Sequence, residues 1–139
     1  MENSRGMECR GYNGTVDGNN MTTALTSQHW SDEQLLSLLN YEGKVELVDG
    51  RLVMMAPAGS EYGDIGAFII YRLMQHVLPR KLGRVFNSGT GYRLQSGNLR
   101  APDASFVAAA RLKGMNRLIR GFLKGSPDLA VEILSLSDS

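Results

Sequence analysis

The spacing of apolar positions divides the chain at about residue 28. Before that point Val16 and Leu25 are the only branched aliphatic side chains, set among four Asn and four Gly. So little apolar area cannot offset the entropy of ordering the backbone, so residues 1–28 read as a disordered leader and residues 29–139 as one folded domain. The domain opens with a short helix: Ser31 suits the N-cap, Gln34 is its reciprocal partner, and Asp32 and Glu33 fall in the first turn. Leu35, Leu36, Leu38 and Leu39 form its apolar face, and Asn40 marks its end. Lys44–Val48 and Arg51–Met55 then flank Asp49-Gly50, a dipeptide that favours a two-residue hairpin turn. Ile65, Ile69, Leu73 and Val77, with Phe68, Ile70, Met74 and Leu78 beside them, recur at helical spacing. That pattern predicts a long helix over about 61–78, stopping before Pro79.

Short strands are expected at 84–87, 91–95 and Ala104–Ala108. Residues 129–134 form a near-continuous apolar run, the character of a strand covered on both faces. Between these strands, residues 109–125 hold five bases and no acid, interleaved with Leu112, Leu118, Ile119, Phe122 and Leu123. This stretch is a basic loop or a short amphipathic helix. Its bases, Arg117, Arg120 and Lys124 among them, make either a solvated face or a set of phosphate contacts.

Composition adds limits. The net charge of +1 over 139 residues names no partner, but residues 1–43 carry a net −4 and residues 44–139 a net +5. A basic body favours an anionic partner such as nucleic acid. The single cysteine, Cys9, excludes an internal disulfide framework and a cysteine-built metal cage. No apolar run approaches the ~18 residues of a membrane span. The sequence reads as soluble and cytoplasmic, with no membrane partner.

The clearest chemical signal is one acid inside the last apolar run. A buried Glu132 must be protonated, paired with a base or bound to a metal. Asp128, four positions earlier, would lie about 13 Å away on an extended strand, too far to share an ion. Asp103 is better placed. Pro102 suits the first position of a strand, and if that strand lies beside residues 129–134, Asp103 and Glu132 converge. Two carboxylates that close repel unless a cation lies between them, and hard oxygen ligands favour Mg²⁺, with Mn²⁺ as a substitute.

Four segments together resemble the family described as Uma-type putative restriction endonucleases, within the PD-(D/E)XK nuclease superfamily. They are residues 45–55 (VELVDGRLVMM), 91–94 (GYRL), 100–103 (RAPD) and 127–135 (PDLAVEILS), and the likeness spans about residues 30–139. It implies an α/β fold, a restriction-endonuclease-like mixed β-sheet flanked by helices, and metal-dependent hydrolysis of DNA phosphodiester bonds. It places the metal carboxylates at Asp103 and Glu132, with Glu46 as a third, outer acidic position. In such a nuclease Arg93 and Arg100, near strand ends, are candidate phosphate contacts. A homodimer is implied by the superfamily's habit of cutting both strands.

The chain also departs from the pattern. Leu134 stands where the superfamily's lysine would fall, and in the family that lysine sits on a later helix, after residue 139. The domain is therefore expected to lack the family's last helix and strand, leaving Leu129, Val131, Ile133 and Leu134 on a partly uncovered strand. Tyr62 stands where the family often has a histidine, and Leu136 where it usually has proline. The missing lysine favours an alternative: a catalytically incomplete nuclease-like domain that binds nucleic acid or a partner without cleavage. Other features read as structural. Gly59, Gly63 and Gly66 suit close helix packing rather than a phosphate cradle, His29 and His76 are surface or packing residues, and Met54-Met55 fills the core.

Overall fold

A computed structural model describes residues 29–38, 43–113 and 121–134. The expected leader, Leu39, Asn40, Arg117 and Arg120 lie outside the described residues. Helix α1 (Asp32–Ser37) has the capping box that its sequence predicts: the Ser31 hydroxyl accepts from the Gln34 N–H, and Gln34 Oε1 accepts from the Ser31 N–H at 2.9 Å. Strands β1 (Lys44–Val48) and β2 (Arg51–Met55) pair in the register Lys44↔Met55 to Val48↔Arg51. Asp49 and Gly50 both adopt positive φ, 50° and 76°, as the tight turn between them requires.

Helix α2 (Ser60–Val77) covers the predicted span within a residue. After it come β3 (Gly83–Asn87), β4 (Tyr92–Arg93), β5 (Leu99–Arg100), β6 (Ala104–Ala108), β7 (Leu123–Lys124) and β8 (Leu129–Val131). The basic stretch begins as a 3₁₀ turn, Ala109–Leu112. Two sheets result. A five-stranded mixed sheet runs β2-β1-β5-β4-β7, with β4 and β7 parallel and the other pairs antiparallel. A three-stranded antiparallel sheet runs β3-β6-β8. Helix α2 packs against β3 and β6 of this second sheet.

Alternation along β1 sorts its side chains. Val45 and Leu47 join a core of Leu35, Leu52 and Leu99, so Lys44 and Glu46 take the opposite face. A second core gathers Tyr92, Val107 and Leu123, and the buried Tyr92 hydroxyl is satisfied by Ser105 Oγ at 2.7 Å.

Three expectations are corrected. The last apolar run is not a six-residue strand covered on both faces. Strand β8 ends at Val131, its one sheet neighbour among the described residues is β6, and Leu129 and Leu134 are exposed. An apolar run reads alike on a central and an edge strand, and among the described residues β8 stands last in its sheet. The glycines of α2 are also not all packing positions. A Cβ on Gly66 would meet Ile133 at 3.4 Å, whereas Gly59 and Gly63 face open space within 4 Å. Finally, the strand expected over 91–95 shortens to β4, Tyr92–Arg93, while β5 and β7 lie where the apolar pattern predicts none.

A candidate active site around Lys44

Strand β6 lies antiparallel to β8 with Ala104 opposite Val131, so Asp103 and Glu132 extend the same register at its open end. The Asp103 N–H donates to the Val131 carbonyl at 3.0 Å, and Asp103 Oδ2 accepts from the Ile133 N–H at 2.7 Å. Asp103 is thereby fixed on both sides of Glu132. It is buried, with 5% of its surface exposed, while the Glu132 side chain is 51% exposed. Glu132 is thus not the buried mid-strand acid that the apolar run implies; it sits just past the strand, at the lip of the site.

The other sheet brings a third carboxylate. Glu46, also 5% exposed, accepts from the Ala101 N–H at 2.9 Å and pairs with Arg100 Nε at 3.1 Å. Between the three acids stands Lys44, two positions before Glu46 and on the same face of β1. Its Nζ lies 3.1 Å from Asp103 Oδ1, 3.7 Å from Glu46 Oε1 and 3.7 Å from Glu132 Oε2. Sequence reasoning missed Lys44. The signal available was its two-residue spacing from Glu46, but only the meeting of the two sheets brings it to Asp103.

These contacts divide the carboxylates. Burial disfavours the charged form of Asp103, but hydrogen bonds from the Ile133 N–H, Tyr62 and Lys44 outweigh it and hold the carboxyl below its ordinary range. Glu132 moves the other way. Burial raises it, Lys44 pulls it down, and the charges of Asp103 and Glu46 raise it again. Two neighbouring acids with opposed proton affinities are a common arrangement where chemistry is done. Tyr62, at the start of α2, therefore contacts the site.

The remaining candidates separate. Arg100 is half exposed and adjoins the cluster through Glu46. Arg93 is committed elsewhere: its Nε pairs with Asp32 at 3.1 Å, Nη1 donates to the Gly97 carbonyl at 2.9 Å, and Nη2 donates to the Trp30 carbonyl at 2.6 Å. These bonds make it a strut between β4 and the start of α1. Lys124 is exposed on β7. Asp128 braces the second sheet, accepting from the Ala108 N–H at 2.8 Å and pairing with Arg111 at 3.3 Å. His29 and His76 are exposed.

Does the donor set suit a divalent ion? Among the described residues no three acidic, histidine or cysteine side chains form a ready coordination shell. The chemistry nevertheless fits, since hard carboxylate oxygens converge from two sheets. Asp103 and the exposed Glu132 are the two that would hold such an ion. Glu46, with both oxygens engaged by Ala101 and Arg100, is suited only to an outer place. No helix among the described residues is long and apolar enough to cross a membrane.

Comparison with known proteins agrees with this architecture. Residues 32–139 match the family model Uma2, described as "Putative restriction endonuclease". A solved structure of "a putative nuclease belonging to DUF820" from Anabaena variabilis ATCC 29413 superposes with a TM-score of 0.60 at 22% identity. The alignment covers 77% of this chain and 59% of that one, so the likeness spans little more than half of its length. No curated protein matches.

Proposed function

Because the chain belongs to the Uma2 restriction endonuclease family, we propose that it is a metal-dependent endonuclease hydrolysing DNA phosphodiester bonds, with Asp103 and Glu132 as its metal carboxylates. The observation that carries this reading is the convergence of Asp103, Glu132 and Glu46 on one point, each within 3.7 Å of Lys44 Nζ. Carboxylates gathered at the junction of two sheets leave a concentration of negative charge that a structural role does not need.

Hydrolysis of a phosphodiester requires a strong nucleophile and neutralisation of charge on the phosphoryl oxygens. A bound Mg²⁺ or Mn²⁺ would supply both, by acidifying a water and polarising the phosphate. The chain's own part is to hold and orient. Ile133, through its N–H, and Tyr62 fix the Asp103 carboxylate in its charged form. Glu46 anchors the Ala101 backbone and draws Arg100 to the rim, where its half-exposed guanidinium can meet a DNA phosphate. Lys124 and, outside the described residues, Arg117 and Arg120 would extend the contact to the DNA backbone. The work belongs to a cytoplasmic protein with access to DNA, and a homodimer would let two such sites cut both strands.

The test is plasmid nicking in Mg²⁺ by Asp103→Asn and Glu132→Gln beside the wild type. Each variant is expected to lose at least about 10²-fold in rate, the scale of removing one preorganised electrostatic group. Full activity in both variants would contradict the reading. Salt-sensitive DNA binding by a wild type that never cuts would favour a nuclease-like domain that binds without cleavage.

A further inference from the structure

Lys44 occupies the place that a divalent ion would need, an observation that rests on the metal reading above. One oxygen of Asp103 is spent on the Ile133 N–H, at 2.7 Å, and the other is held by Lys44 Nζ at 3.1 Å. An ion held by Asp103 and Glu132 would compete with the ammonium for that second oxygen. Two cations there would also repel each other.

We propose that Lys44 is a resident counter-cation that exchanges with the divalent ion. With no metal bound, its ammonium, beside Arg100 on Glu46, offsets much of the negative charge and lets three acids gather without one. When the ion arrives, Lys44 gives up Asp103. Its flexible four-carbon stem carries a point charge that needs no fixed geometry, which suits a movable partner better than the planar fork of an arginine. The exchange sets the metal affinity. Metal binding must break the Lys44–Asp103 pair, so the wild type binds its ion more weakly than the carboxylates alone would.

Calorimetric titration with Mn²⁺, and thermal unfolding in EDTA and in saturating Mn²⁺, test this on wild type, Lys44→Met and Lys44→Arg. Lys44→Met is expected to bind Mn²⁺ at least about tenfold more tightly, since a competing charge is gone. In EDTA it should melt below the wild type, with Asp103 left unpaired, and Mn²⁺ should raise its melting temperature by more. Lys44→Arg, which keeps the charge, should stay close to the wild-type affinity. If Lys44→Met does not fold in EDTA, folding it in Mn²⁺ and titrating with a chelator yields the same affinity. Equal or weaker Mn²⁺ binding by Lys44→Met overturns the exchange while leaving the endonuclease reading intact. A wild type that binds no Mn²⁺ beside a Lys44→Met that does makes Lys44 a fixed occupant of the cluster and overturns the exchange along with that reading. No binding by either overturns both.

Discussion

At the scale of single residues, acids of the same type do different work according to their partners. Asp103 is buried and held among Lys44, Tyr62 and the Ile133 N–H, whereas Asp128 is a brace on the surface. The Ala108 N–H holds the Asp128 carboxyl below its ordinary range, with help from Arg111. A depressed pKa means that the folded chain takes up a proton later than the unfolded one. The stabilisation is therefore complete above the ordinary aspartate value, about 3.9, and is lost as pH falls below it. Asp128→Asn should accordingly show a flatter loss of stability than the wild type between about pH 4 and pH 2, read as urea midpoints across that range. Parallel acid limbs would mean that the Asp128 contacts do not persist in solution. Both acids could be singled out from the sequence, Asp103 because it opens a strand after proline and Asp128 because it lies too far from Glu132 to share its ion. Lys44 could not, because a base at the start of a hairpin is commonplace until another sheet meets it.

Among the elements, those with a strong local signal stand where their sequence puts them. The capping box of α1, the Asp49-Gly50 turn and the apolar period of α2 are decided within a few neighbouring residues. Elements decided by distant pairing are less legible. Strand β8 shows this, since its apolar run does not reveal that among the described residues it stands last in its sheet, with Leu129 exposed. Gly83 marks the pairing that positions Asp103. A Cβ there would collide with the Val107 carbonyl oxygen and the Ala108 Cα, both backbone of the facing strand. Gly83→Ala should therefore force β3 away from β6 and cost several kcal/mol, well beyond the roughly 0.5 kcal/mol of an ordinary surface change. Urea denaturation measures it, and a variant as stable as the wild type would show that β3 and β6 do not pair as described. Because β6 leads out of Asp103, Mn²⁺ affinity should fall in the same variant.

For the molecule as a whole, the site exists only because two sheets meet. Lys44, Glu46 and Arg100 come from the five-stranded sheet, and Asp103 and Glu132 from the end of the three-stranded one. That meeting is invisible in hydrophobic periodicity, which reports one element at a time. Charge distribution is legible, and it bears on substrate. If the basic body tracks a DNA backbone, affinity should fall steeply with salt and depend little on base sequence. Replacing Arg117, Arg120 and Lys124 with alanine should weaken binding and flatten the slope of log affinity against log salt, by about 0.9 for each side chain that touches a phosphate. An unchanged slope in a filter-binding titration would assign that stretch to solvent.

The central claim is that a divalent ion held by Asp103 and Glu132 makes this chain a nuclease. It is tested most directly by the wild-type protein on supercoiled plasmid with Mg²⁺, with Mn²⁺ and with EDTA. The account predicts nicking in both metal arms, none in EDTA, and recovery when metal is added back in excess of the chelator. Cleavage that continues undiminished in EDTA, or no cleavage in any arm, would contradict it.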